Sequence, residues 1–385
     1  MKIWIATAQS LTLAVLCIPH VLAAAIDLDA QLTGRLAIEA DRFVGEDRSD
    51  GLAISVVRCG QESFVLRGNA NREDGRQVAV DTVFEIGSVS KTLTSLLLAK
   101  AATEGRLRLE DDVRRWLPGR FGQLQWQDGT PVTLGQLADT TSGLPDYLPD
   151  PAPIRQLPAD QQVEAASQLL QGYGNDAFLQ DLQQVRLRHR PGTQAAHSNV
   201  AAQLLGLVVA RTFGKPFAQV LQDEIERPAG MRDGTALAPE ARSATGYDDR
   251  RRPMPPFRGE SVLPAGGLRY SSQDMARYLR LLLALDDRAV QLSQQPRFTE
   301  AVDRQIAFTW VVSTPRPGLR KYRLSGGTFG SSSYVEFYPA LGYGVALMAN
   351  RAAARTQDEL QEIADRTFEG LEGTLSACPT PQTVR

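Results

Sequence analysis

The chain predicts an α/β fold of the α+β type, with a central antiparallel sheet flanked by helices and a mainly helical domain inserted within it. Three observations carry that expectation. Strand-like alternation occurs towards both ends of the 385 residues, at Leu52–Val56 and again between Ile306 and Ala349. Helical periodicity dominates from about Thr133 to Leu285. The C-terminal strands are joined by short loops containing Pro and Gly, and links that short join antiparallel neighbours.

In chain order, Leu36 to Phe43 reads as part of an N-terminal helix. Leu52-Ala53-Ile54-Ser55-Val56 then alternates as a strand, turns at Cys59-Gly60 and returns along Ser63 to Leu66. Thr82 to Ile86 is strand-like and gives way at Gly87 to a helix over Ser88–Glu104. Helices follow at Asp160–Leu170, Asn199–Phe213 and Ser271–Leu283, the last opened by the capping-box-like run Ser271-Ser272-Gln273-Asp274. Strands are expected at Ile306–Ser313, Lys321–Ser325, Ser333–Tyr338 and Tyr343–Ala349, and an amphipathic helix near Gln357–Phe368 closes the ordered part. The economical division is one α/β domain from residues 26–120 and 260–375, a helical domain at 121–259, and a tail at 376–385.

Composition is that of an ordinary globular protein, 43% apolar and 22% charged. A formal charge of -2 and a pI near 6.0 exclude a general attraction to nucleic acid or anionic lipid, and Arg250-Arg251-Arg252 reads as a solvated loop. Residues 1–25 carry Lys2, an apolar stretch from Leu11 to Val21 and the small residues Ala23-Ala24-Ala25, the pattern of a secretory signal cleaved near residues 23–25. Pro19 and His20 interrupt the apolar run and argue against a spanning helix. Cys17 leaves with the signal, and Cys59 and Cys378 remain, which an oxidising compartment could join; their spacing leaves the pairing open. With only His189 and His197 in the mature chain and no clustered ligands, neither a metal nor another cofactor is expected.

Ser88 and Lys91 are the most informative pair. Three residues apart at a helix start, they share one face, and the neighbouring backbone N–H groups could hold an oxyanion. The helix dipole and burial both disfavour an ammonium there, which lowers its pKa towards that of a working base. Taken alone, Ser88 could be an N-cap and Lys91 a solvated residue, but the chain has only five lysines, so a chance Ser-x-x-Lys is uncommon. His197-Ser198-Asn199, at a second loop-to-helix junction after Pro191-Gly192-Thr193, offers an imidazole to accept a proton and an amide to donate to a carbonyl. In Leu324-Ser325-Gly326-Gly327-Thr328-Phe329-Gly330, glycines interrupt a strand, so that another backbone or an extended peptide can approach its edge.

These three segments, in this order, resemble the serine β-lactamase and penicillin-binding protein family, most closely its class C β-lactamase-like and D-alanyl-D-alanine peptidase branch. Phe84 to Lys91 is similar to the nucleophile motif, Pro191 to Asn199 to the Tyr-x-Asn region, and Leu324-Ser325-Gly326 to the Lys-Thr-Gly motif. Thr140-Thr141-Ser142-Gly143-Leu144-Pro145, Arg227 to Met231 and Ala265-Gly266-Gly267-Leu268 are further stretches typical of these proteins. The resemblance implies a β-lactamase-like fold and a periplasmic serine hydrolase acting on a peptidoglycan peptide, a β-lactam or an ester. It implies that Ser88 is acylated with Lys91 as its base, that Asn199, Ser325, Gly326 and Gly327 bind substrate, and that the N–H groups of Ser88 and Gly327 form the oxyanion hole.

Two positions depart from the family pattern. His197 stands where the family has Tyr, which suggests a Ser88-Lys91-His197 relay, and Leu324 stands where it has Lys. A leucine cannot pair with a substrate carboxylate, so Arg323, Lys321, Arg351 and Arg355 are the candidates to replace the lost cation. With none of them in place, neutral esters or amides become the better substrates. A catalytically inactive cell-wall or protein binder is the reading from another class, opposed by the intact Ser88, Lys91 and Asn199. An α/β-hydrolase is excluded because no Gly-x-Ser-x-Gly occurs.

Overall fold

The computed structural model describes residues 18–45, 50–234, 240–371, 375, 377 and 378. Eight strands make one antiparallel sheet: β1 (Leu52–Arg58), β2 (Gln61–Arg67), β3 (Phe298–Ala301), β4 (Arg304–Ala307), β5 (Trp310–Arg316), β6 (Leu319–Gly327), β7 (Ser332–Tyr338) and β8 (Tyr343–Ala349). Their order is β2-β1-β8-β7-β6-β5-β4-β3. β1 therefore lies between its hairpin partner and a strand from the far end of the chain, with Leu52 opposite Ala349 and Arg58 opposite Tyr343.

Alternation along each strand divides the core in two, because successive side chains leave opposite faces of a sheet. Ala53 and Val57 of β1, with Phe337 and Met348, face the larger core beneath the helices α2 (Ser90–Thr103), α3 (Asn199–Phe213) and α4 (Ser272–Leu282). Leu52, Ile54 and Val56, with Tyr343, Val345 and Leu347, face the smaller one. That second face is covered by α1 (Ile18–Val44), through Leu32, Leu36 and Ala40, and by α5 (Thr356–Glu369), through Leu360, Ile363, Ala364 and Phe368. The i, i+4 spacing in both helices is the stripe a surface helix needs. Cys59, in the β1–β2 turn, is bonded to Cys378 with Cα atoms 5.3 Å apart, which ties the C-terminal segment to that hairpin.

Three expectations need correction. The strand expected over Ile306–Ser313 is broken at Phe308 and Thr309, which both have positive φ and form the tight turn between β4 and β5. Asp139 accepts from the Phe308 N–H at 3.3 Å and the Thr309 hydroxyl donates to the Ala138 carbonyl, so tertiary bonds hold a turn usually made by Asn or Gly. The run Thr82–Ile86 contributes only Val83–Glu85, paired with Arg269–Ser271 outside the large sheet. Ser88 lies in a single 3-10 turn, Gly87–Val89, ahead of α2 rather than within it. Residues 18–25 of the expected leader belong to α1, and residues 1–17 lie outside the described residues.

Candidate active site

Ser88 is held where two chain segments come closest. Gly87 has φ +50°, and a Cβ on it would fall 2.4 Å from the Gly327 nitrogen. A Cβ on Gly326 would fall 2.2 Å from the Ile86 carbonyl oxygen and 2.8 Å from the Ser88 nitrogen. Only glycines allow this approach of the 86–88 turn to the end of β6.

Lys91 is 3% exposed, and its Nζ has three neighbours: Ser88 Oγ at 2.8 Å, Asn199 Oδ1 at 2.8 Å and the Ala265 carbonyl at 2.7 Å. An ammonium donates to all three. A neutral amine can donate to Asn199 and Ala265 and turn its lone pair to the Ser88 hydroxyl. Burial pulls the Lys91 pKa down to about 7, against the opposing pull of the Asp146 charge. Both forms are therefore populated near neutral pH.

The second segment approaches from α3. Ser198 caps this helix by accepting from the Ala201 N–H and donates to the Pro145 carbonyl. Further backbone bonds, Gly192 N–H to Thr141 and Ala196 N–H to Thr140, clasp residues 192–199 against the 140–146 loop. His197 Nε2 lies 3.5 Å from Ser88 Oγ, and its Nδ1 lies 2.8 Å from Asp146 Oδ1. The same carboxylate oxygen accepts from the Asn199 backbone N–H at 3.2 Å and the Asn199 side-chain amide at 3.1 Å. Burial pushes Asp146 up, but the His197 bond and charge, the Asn199 N–H and the Lys91 charge outweigh it and hold the carboxyl below its usual value. Sequence reasoning missed Asp146, which is 51 residues from His197. The sole signal was its place directly after the Thr140–Pro145 stretch.

The third segment is the end of β6. Ser325 and Gly327 line a cavity of about 850 Å³ with Ser88, Lys91, His197 and Asn199. Leu324 lines it too and packs against the larger core, so the place of the missing cation is apolar. Three of the four candidate replacements are engaged elsewhere. Lys321 pairs with Glu336 at 2.6 Å and with Asp365, Arg351 with Asp50 and Glu359, and Arg355 with Glu362. Arg323 is different. It stands two residues before Ser325, hence on the same face of β6, it lines the cavity, and it donates to the neutral Gln361 at 2.9 Å. Among the described residues no group of His, Cys, Asp and Glu could hold a metal ion.

Comparison with known proteins shows the family. The beta-lactamase family profile matches residues 37–367. The D-alanyl-D-alanine-carboxypeptidase/endopeptidase AmpH of Escherichia coli is 28% identical over 342 residues, covering 81% of this chain and 82% of that protein. The esterase EstB of Burkholderia gladioli is 32% identical over 230 residues, covering 58% of this chain and 57% of that protein. Among solved structures, a class C beta lactamase from Rhodobacter sphaeroides superposes with a TM-score of 0.72 at 25% identity, over 88% of this chain and 99% of that one. An antiparallel sheet between helical layers, a serine and a buried lysine at the start of one helix, and a profile match over most of the chain place this protein in the beta-lactamase family of serine hydrolases.

Proposed function

We propose that the protein is an exported acyl-transfer hydrolase that forms a covalent acyl-enzyme at Ser88 and acts on D-alanyl-D-alanine-type peptides or β-lactams. The observation that carries this is the buried Lys91 amine, 2.8 Å from Ser88 Oγ and with a pKa near 7. Neutral Lys91 takes the Ser88 proton as Oγ attacks the carbonyl, and the backbone N–H groups of Ser88 and Gly327 receive the developing oxyanion. Asn199 and the Ser325–Gly327 edge align the substrate amide, and His197 carries protons at the mouth of the site. The leader-like N-terminus and the Cys59–Cys378 bond support a periplasmic location.

Arg323 is the residue we assign to the substrate carboxylate. A charge-assisted contact of this kind contributes about 1.5–3 kcal/mol, or roughly 10- to 150-fold in binding. Arg323→Ala should therefore lower kcat/KM by about that factor for a carboxylate-bearing penicillin or peptide and leave hydrolysis of a neutral activated ester nearly unchanged. Equal losses on both substrates would remove Arg323 from recognition. The apolar Leu324 favours a second reading, an esterase with no carboxylate requirement, and the EstB relative is named an esterase.

Intact-protein mass spectrometry of the mature chain after incubation with a penicillin tests the proposal. An adduct present in the native protein and absent from Ser88→Ala is expected, with a lifetime that separates a lactamase from a peptidase. Reaction with a simple activated ester alone supports the esterase. Absence of reaction with either, in a folded protein, supports a binder and refutes the proposal.

A further inference from the structure

Resting on the reading of Ser88 as the acylated residue, we infer that Asp146 is a positioning residue that makes His197 the base for hydrolysis of acyl-Ser88, while Lys91 serves acylation. The two proton carriers flank one hydroxyl but occupy different surroundings. Lys91 is 3% exposed and sits within proton-transfer distance of Ser88 Oγ, at 2.8 Å. The His197 side chain is 54% exposed, and its Nε2 is 3.5 Å from the same oxygen. Of the two carriers, Lys91 is therefore the nearer acceptor for the hydroxyl proton. The exposed imidazole is open to solvent, whereas the buried amine is closed in by Asn199 and Ala265.

Asp146 determines which nitrogen of His197 can act. Its Oδ1 already accepts two N–H groups from Asn199, and an ionised carboxylate can only accept, so the imidazole bonds to it as Nδ1–H. That tautomer leaves the lone pair on Nε2, facing Ser88. In the hydrolytic step the water oxygen attacks the acyl carbonyl carbon and gives its proton to Nε2. The resulting imidazolium is stabilised by the Asp146 charge. The bond from carbon to Oγ then breaks, its electron pair stays on Oγ, and Nε2 returns the proton there. The products are the free acid and the Ser88 hydroxyl, with no other reactant consumed.

The test is burst kinetics with p-nitrophenyl acetate on the full-length mature protein and its Asp146→Asn, His197→Ala and doubly substituted forms. Both single variants should keep a stoichiometric burst within about threefold of the native rate. Their steady-state turnover should fall about 100-fold, with acyl-Ser88 accumulating in the intact mass. In the His197→Ala background, Asp146→Asn should change turnover no more than about threefold, because Asp146 acts through the imidazole. Loss of burst and turnover together in Asp146→Asn, with His197→Ala behaving as native, would overturn the inference. So would an equal turnover loss from Asp146→Asn in both backgrounds. A native protein with no Ser88-dependent burst would instead remove the underlying acyl-enzyme reading and this inference with it.

Discussion

Replacing Lys91 with Met should lower kcat/KM by about three powers of ten, within the range of roughly 10²–10⁴ that a positioned general base contributes. Methionine keeps the length and removes the one nitrogen that meets Ser88 Oγ, Asn199 Oδ1 and the Ala265 carbonyl. Two of those acceptors then lose a buried donor, so the variant should also be less stable. Its activity must therefore be measured well below its unfolding temperature. The native pH profile follows from the same residue. Only the neutral amine can take a proton, so with a pKa of about 7 the acylation rate should fall about tenfold per unit below that pH and level off above it. A profile of kcat/KM flat from pH 5 to 9, or a Lys91→Met variant within tenfold of native, would exclude Lys91 as the base.

Gly326→Ala should lower kcat by about 100-fold or more while the protein remains folded. The added Cβ would meet the Ile86 carbonyl oxygen at 2.2 Å, the Ser333 hydroxyl at 2.7 Å and the Ser88 nitrogen at 2.8 Å. Two of the three are backbone atoms in a buried turn, so the end of β6 must move away from Ser88. Oxyanion donors act within a narrow distance range, and loss of one costs roughly 10²–10³ in kcat. The accompanying overpacking costs about 1–3 kcal/mol. Gly122→Ala, at a position with open space around it and no positive φ, is the matched control. A Gly326→Ala variant within threefold of native kcat would show that the site tolerates displacement of this edge, contrary to its assigned role.

Features encoded over a few residues were legible in the sequence. Ser88 and Lys91 were visible because one helical turn joins them and lysine is scarce, and Asn199 because it opens a helix after a loop of turn-forming residues. The alternation of Leu52–Val56 marked β1 as a strand. What stayed hidden depended on contacts between distant segments. Nothing in the composition of Phe308-Thr309 suggests a tight turn, since Asp139 and Ala138 hold it from another part of the chain. Asp146 was invisible for the same reason, because its partner imidazole arrives through chain crossing. Four cations were equivalent candidates on paper. The ion pairs of Lys321, Arg351 and Arg355, and the place of Arg323 in the cavity wall, distinguish it from them.

The placement of β1 has a consequence for how the chain is made. Its inner edge pairs with Tyr343–Ala349, among the last strands to emerge during synthesis, so the β1–β2 hairpin must wait with an unsatisfied edge while most of the chain follows. An isolated hairpin is at best marginally stable in water, and long-range pairing of this kind is slow because loop closure precedes the contacts that reward it. The sheet therefore closes only once its last strands are available to pair, and the Cys59–Cys378 bond joins segments that come together only then. Oxidation of that pair is then a chemical record that the final strand has taken its place, and a thiol-labelling time course would date the completion of the fold.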